Sequence, residues 1–142
     1  MMNSIDEKLL TLLSENARCS TSELSRTLAI SRSTVQSKIK KLERGGIIKG
    51  YTVQYGDDYQ NRLVAAHVLI TVQQKLTVRT NRELRAILQV KSVHAISGDY
   101  DLIAMIRADS TEALSHILDD IGNLEGVVRT NSSLILETKF SR

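Results

Sequence analysis

Proline and tryptophan are absent from these 142 residues, and cysteine occurs once. Without proline there is no Pro-rich spacer and no ring to interrupt a helix, which suits a chain made mostly of helices and strands. The single Cys19 cannot form an internal disulfide, so a disulfide-stapled scaffold is excluded and a reducing cytoplasm is the expected compartment. Four tyrosines and one phenylalanine are too few for a broad platform on which bases would stack. Long apolar runs are missing as well. The longest, residues 64–70, is interrupted by His67 and falls far short of the ~20 residues a membrane helix needs. The opening residues Asn3, Ser4, Asp6 and Glu7 are polar or acidic, so no secretory segment is visible. What remains is ordinary for a globular chain, 42% hydrophobic and 25% charged. Its length suits one compact domain or two very small ones.

The net charge of +3 is unevenly placed. Residues 1–50 carry nine Lys/Arg against five Asp/Glu, whereas residues 51–142 carry ten against eleven. Residues 31–50 alone hold Arg32, Lys38, Lys40, Lys41, Arg44 and Lys49 against the single acid Glu43. A local excess of this kind is the electrostatic footprint of a polyanion-binding surface, although a solvated helix face produces the same count.

Helical periodicity places that excess. Ile5, Leu9, Leu12 and Leu13 recur at helical spacing behind the acidic Asp6 and Glu7. Ser20-Thr21-Ser22-Glu23 has the form of a capping box, and Leu24 and Leu28 follow on one face of a short second helix. Ser31 can cap a third helix with Val35, Ile39 and Leu42 inward, ended by Gly45-Gly46. Its outer surface offers Arg32, Ser33, Thr34, Gln36, Ser37, Lys38, Lys40 and Lys41. Short polar side chains near a helix N-terminus reach base edges, and the cations beside them neutralise phosphates. That is the division of labour of a helix-turn-helix whose second helix enters the major groove. Double-stranded DNA is therefore the expected partner of residues 1–50.

Residues 45–53, β-branched and bracketed by glycine, read as a short strand serving as wing or connector, and the polar stretch 57–62 marks a boundary. Residues 51–62 are thus expected to be a connector. From residue 63 the pattern changes. Val64, Ala66, Val68, Ile70 and Val72 alternate as in a strand with one face in a core. Leu84, Ile87 and Leu88 mark a helix, and residues 93–97 and 102–108 two strands about the turn Gly98-Asp99-Tyr100-Asp101. Asp109 and Glu112 suggest a capping box for a helix burying Leu114, Ile117, Leu118 and Ile121, and residues 127–140 supply a last strand. The fold expected is α+β: a three-helix helix-turn-helix followed by a ferredoxin-like βαββαβ domain over residues 63–142. A sheet covered on one side leaves its other face for another subunit.

With both halves placed, the chain resembles the Lrp/AsnC family of bacterial and archaeal transcription regulators. The resemblance rests on Ile5-Asp6-x-x-Leu9-Leu10, Asn16-Ala17-Arg18, Glu23-Leu24-Ser25 and Ile30-Ser31 in the head. It continues through Val35-x-x-Lys38-Ile39-x-x-Leu42-Glu43-x-x-Gly46-Ile47-Ile48-x-Gly50-Tyr51 and Gly98-Asp99-Tyr100-Asp101-Leu102. The order and spacing of these strings carry more than any one of them. The chain departs from the family's pattern at Arg32 and Thr34, where prolines are frequent, at Lys38, where Arg is commoner, and at Tyr55-Gly56-Asp57. The resemblance implies a nucleoid-associated regulator whose second domain binds a small effector, an amino acid by preference. It also implies assembly as homodimers or higher forms such as octamers.

The turn of residues 98–101 is the effector candidate that the resemblance singles out, and Gly-Asp is equally at home in a plain hairpin turn. An amino acid needs acceptors for its ammonium, such as Asp99 and Asp101. It needs donors for its carboxylate, such as Thr130 and Ser132, with Gly98 and Tyr100 completing the site. His67, His94 and His116 lack metal-ligand spacing, and neither a phosphate-cradling glycine loop nor a nucleophile motif occurs. No metal, cofactor or catalytic residue is therefore expected. The enzyme alternative is an Lrp-like tetrapyrrole (sirohaem-type) decarboxylase subunit, which has no use for an outward basic helix. RNA binding on the sheet would need aromatics that residues 93–97 and 102–108 lack.

Overall fold

The computed structural model describes residues 2–141. The chain divides into two compact units between Gln54 and Tyr55, inside the expected connector. The first holds α1 (Ser4–Glu15), α2 (Thr21–Leu28) and α3 (Arg32–Arg44). Each helix starts on a side-chain cap. Asn3 Oδ1 accepts from the amides of Ile5 at 3.1 Å and Asp6 at 2.9 Å. Ser20 Oγ accepts from the Glu23 amide at 3.1 Å, while Glu23 Oε2 accepts from the Ser20 amide at 3.3 Å, closing the capping box that the sequence suggests. Ser31 Oγ accepts from the Thr34 amide at 3.1 Å. Leu9, Leu13, Leu24, Val35 and Leu42 form one buried cluster, bordered by Leu12, Cys19, Leu28 and Ile39.

Past α3 the structure departs from expectation. Residues 45–56 form no strand, and Ile47, Tyr51, Val53 and Tyr55 are exposed. A strand needs a ladder partner, and no other segment of the described chain pairs with this one. Tyr51 instead donates its hydroxyl to Glu43 Oε1 at 2.9 Å, tying the segment back to α3. Partial desolvation of the hydroxyl where it meets Glu43, and then that carboxylate itself, push the Tyr51 phenol above its ordinary value. Within the polar boundary stretch 57–62, Asp57–Gln60 form a single helical turn, α4.

The second unit is a four-stranded antiparallel sheet of β1 (Val64–Val72), β2 (Val90–Ala95), β3 (Leu102–Ala108) and β4 (Val127–Ile135), in the order β2-β3-β1-β4. With α5 (Thr77–Ala86) and α6 (Thr111–Gly122) it has the ferredoxin-like arrangement. Ala66, Val68, Ile70 and Val72 of β1 join Leu102, Ala104, Ile106 and Ala108 of β3 in a core closed by Leu84, Leu114, Ile117 and Ile121. The alternate residues stand on the opposite face: Leu69 pairs with Ile103 and Asn131, and His67 with Met105 and Ser133.

Several boundaries differ from the sequence reading. α5 ends at Ala86, so Ile87 is extended and Leu88 is 82% exposed; Thr80 and Leu84 make its buried face instead. The cap of α6 is Ser110 rather than Asp109, its side chain accepting from the Ala113 amide at 3.0 Å. β2 begins at Val90 rather than at residue 93, and β4 ends at Ile135 rather than at 140. Among the described residues no helix is long and apolar enough to cross a membrane.

Candidate nucleic-acid interface and effector turn

Only residues 29–31 separate α2 from α3, and the turn is tight enough to put Ala29 in the left-handed region at φ 54°. Ser25 fastens it by donating its hydroxyl to the Ile30 carbonyl at 2.5 Å. α3 then points Val35 and Leu42 inward and leaves Arg32, Ser33, Thr34, Gln36, Ser37, Lys40, Lys41 and Arg44 exposed. The hydroxyls of Ser31, Ser33 and Thr34 cluster at its N-terminus, Ser31 Oγ lying 3.1 Å from Ser33 Oγ and 2.6 Å from Thr34 Oγ1. The helix thus presents hydroxyls at its start and cations along its outer face, with its amide ends capped.

Lys38 does not belong to that face. Its Nζ donates to Asp6 Oδ1 at 2.8 Å, and Asp6 is only 5% exposed. The position falls between the buried Val35 and Leu42, so the side chain runs inward toward α1 instead of outward to a phosphate. The hydrogen bond from Lys38 holds the Asp6 carboxyl below its ordinary value against the opposing effect of burial. From sequence alone, Asp6 is simply a favourable charge at a helix start. Its true partner is 32 residues away, and spacing along one helix carries no signal of it. Cys19 borders the α1–α2 core and donates its thiol to Glu23 Oε2 at 3.2 Å; that contact, then burial, raises its pKa.

In the second unit the 98–101 turn joins β2 to β3 and clasps the end of β1. The Asp101 amide donates to the Ile70 carbonyl at 2.9 Å, and Asp101 Oδ2 accepts from the Val72 amide at 2.9 Å. Gly98 has φ 109°, a conformation other residues rarely adopt. Tyr100 lies under the Arg129 guanidinium, 4.6 Å from its ring centroid, so the turn and the start of β4 meet within one chain. Of the expected donors, Thr130 pairs with Ile70 and Ser132 with Val68, both on the exposed edge strand and on the face of the sheet that carries the helices. Between the two β1 residues that hold Asp101 stands Thr71, whose buried hydroxyl has no hydrogen-bond partner among the described residues. Thr71 lies opposite Arg129 in the β1–β4 register. Neither was singled out from sequence, since only the pairing of β1 with β4 brings them to the turn. Among the described residues no group of three or more His, Cys, Asp or Glu is placed to hold a metal ion.

Comparison with known proteins agrees with both halves. Residues 2–49 match the family model described as winged helix-turn-helix DNA-binding, and residues 65–142 match the Lrp/AsnC ligand binding domain. The regulator LysM of Saccharolobus solfataricus is 32% identical over 135 residues, covering 95% of this chain and 94% of its own. A Neisseria meningitidis transcriptional regulator, solved as its L-Met complex, superposes with a TM-score of 0.89 at 26% identity, covering 99% of this chain and 94% of that one. The structure of Escherichia coli AsnC superposes with a TM-score of 0.89 at 22% identity over 100% of this chain and 97% of that one, a likeness of fold. These relatives are regulators rather than enzymes, which sets aside the decarboxylase reading. A capped basic helix in a helix-turn-helix head, a ferredoxin-like second unit and both family matches lead to one assignment: the chain belongs to the Lrp/AsnC family of DNA-binding transcriptional regulators.

Proposed function

We propose that this regulator binds operator DNA as a homodimer through the outer face of α3, and that an amino acid bound at the 98–101 turn alters that binding by changing assembly. The observation that carries the reading is the exposed surface of α3, with hydroxyls at its N-terminus and Arg32, Lys40, Lys41 and Arg44 beside them. Ser33, Thr34, Gln36 and Ser37 are the residues suited to base edges, and the four cations to phosphates. Lys38, held by Asp6, supports the helix from behind. Two such helices on one duplex face select half-sites about 10 base pairs apart or a multiple of that. The work of the protein is then on chromosomal DNA in the cytoplasm, as part of the nucleoid.

The amino-acid effector is supported by the L-Met complex of the Neisseria relative and by the polar groups gathered at the turn. Asp99 and Asp101 suit an ammonium; Thr71 and Arg129, paired on the face opposite Thr130, suit a carboxylate. A ligand shared between dimers in a higher assembly such as an octamer favours one assembly state over another, and only that difference shifts DNA binding. Coupling of about 1–3 kcal/mol gives a change of about 5- to 150-fold.

The test is selection of bound sequences from random DNA, repeated with each amino acid, and calorimetry on every hit. With four phosphates neutralised per subunit, the salt slope of a dimer is roughly −7. Lys40→Ala with Lys41→Ala flattens the slope and weakens all sequences alike, whereas Gln36→Ala changes which sequences are selected. Asp101→Asn keeps an oxygen for the Val72 amide and removes the charge, so it separates effector binding from the turn's structural role. Salt-independent DNA binding, or an effector response untouched by Asp101→Asn, would refute the respective half of the proposal.

A further inference from the structure

Between α5 and β2 lies a groove of about 650 Å³ that reaches Ala95 and Leu102 on either side of the 98–101 turn but includes no residue of the turn itself, a size usual for metabolite sites. Its polar wall is cationic. Arg82 and Arg85 descend from α5 and Lys91 comes from β2, with Asn81 and Ser92 beside them, while Val93 and Leu102 are among the apolar residues of its lining. No acidic residue lines it. The distribution of acids nearby sharpens this. Arg79, one turn earlier on α5, takes Glu83 at 2.9 Å and Glu125 at 2.5 Å, and no carboxylate pairs with Arg82, Arg85 or Lys91 among the described residues. Three uncompensated cations around one concavity repel one another, and an anion placed among them removes that repulsion.

The strand is also irregular there. The β2–β3 register slips between Val90 and Ser92, leaving Lys91 as the extra residue of a bulge. A regular strand divides consecutive side chains between two faces, yet residues 90–93 all line the groove. Bulges re-aim side chains in this way. Lys91 Nζ is held at the rim by donating to the Leu88 carbonyl at 2.9 Å. The ammonium keeps two further protons to donate. The Arg82 and Arg85 guanidinium groups offer planar forks that match carboxylate and phosphate oxygens.

We propose that this groove is a second ligand site, separate from the 98–101 turn, for a small metabolite carrying at least two carboxylate or phosphate groups. The apolar lining takes the carbon skeleton and the cationic wall the anionic groups. A zwitterion with a single carboxylate, such as a neutral amino acid, gains little there, because its ammonium meets like charge.

The experiment is calorimetry on the full chain at fixed ionic strength, with 2-oxoglutarate and inorganic pyrophosphate as probes. The variants are Arg82→Ala with Arg85→Ala, and Arg62→Ala as a cation outside the groove, each checked for folding by circular dichroism. Saturable binding of at least one probe is expected, weakened at least about tenfold by the double variant and unchanged by Arg62→Ala. Binding of 2-oxoglutarate alone selects carboxylates, and of pyrophosphate alone phosphates; either supports the proposal. Absence of saturable binding by both probes overturns it, as does equal weakening by Arg62→Ala, which would report diffuse charge attraction. Binding of neither probe together with a changed sedimentation coefficient or weaker DNA binding in the double variant overturns it too. The groove would then be a contact between copies or a surface for DNA.

Discussion

At the scale of single residues, the Asp6–Lys38 pair shows how the recognition helix is held. An acid buried to 5% exposure would destabilise the head if it stood alone, and Lys38 supplies its counter-charge from α3. Lys38→Ala strands the carboxylate, so it is expected to lower the melting temperature more than Asp6→Leu combined with Lys38→Met, which removes both charges. The Asp6 pKa is lowered in the folded chain from the ordinary 3.8. Its stabilisation is therefore complete above that value and is lost as pH falls through the lower folded pKa. Thermal melts between about pH 2 and 5 should show a steeper fall for the natural chain than for Asp6→Asn. Parallel curves would mean that the pair contributes nothing. Gly98 makes a different point. Open space surrounds its missing Cβ, but its φ of 109° is strained for any other residue. Gly98→Ala is expected to cost about 1–3 kcal/mol in urea unfolding through the backbone alone. An effector defect in that variant therefore says nothing of ligand contact, and Asp101→Asn is the sharper probe.

Among elements, Gly126, just before β4, packs closely against Thr80 of α5. A Cβ on Gly126 would meet the Thr80 hydroxyl and lie 3.1 Å from Leu76 Cβ. Thr80 cannot withdraw, being fully buried and donating to the Leu76 carbonyl at 2.8 Å. Gly126→Ala is expected to destabilise by about 1–3 kcal/mol. Thr80→Ala in the same chain should recover part of that loss, and additive effects in a double-mutant cycle would show that the two sites do not touch. This contact also shows why some elements were legible and others were not. The alternation in β1 and the heptad-like spacing in α3 report burial directly, so the core faces of both follow from sequence. For α5 the apolar spacing marks Leu84 correctly, but Ile87 and Leu88 continue the apolar count past the helix end, while the polar Thr80, buried beside Leu84, faces a glycine 46 residues later. The 45–53 stretch has strand composition without a strand, because composition cannot supply a ladder partner. Lys38 looked like its basic neighbours, and only the packing of α1 against α3 turns it inward.

For the whole molecule, the open face of the sheet sets the next question. Leu69, Ile103 and Met105 stand there on the two central strands, flanked by Ala65 and Ile135, with no helix of their own unit on that side. These apolar side chains stand among His67, Arg107, Asn131 and Ser133 on the same face, and a second copy of the chain can cover the apolar patch about a two-fold axis. In such an interface every substitution occurs twice. Burying one Leu contributes about 1.5–3 kcal/mol, so Leu69→Arg is expected to cost about 3 kcal/mol or more in dimerisation. That is over 100-fold in dissociation constant. The substitution leaves the folded subunit intact, since Leu69 faces away from the core of Val68 and Ile70. The consequence reaches the head although the change lies far along the chain from it. Two half-sites held by one dimer act at an effective concentration in the millimolar range, and losing the link removes about 10²- to 10⁴-fold of affinity. Sedimentation should find Leu69→Arg monomeric at micromolar concentration. Its affinity for an operator with two half-sites should collapse toward that for one, and affinity for a single half-site should stay unchanged. A variant that remains dimeric would move the interface off this face. A monomer that still binds the full operator tightly would show that the two heads do not act as a pair.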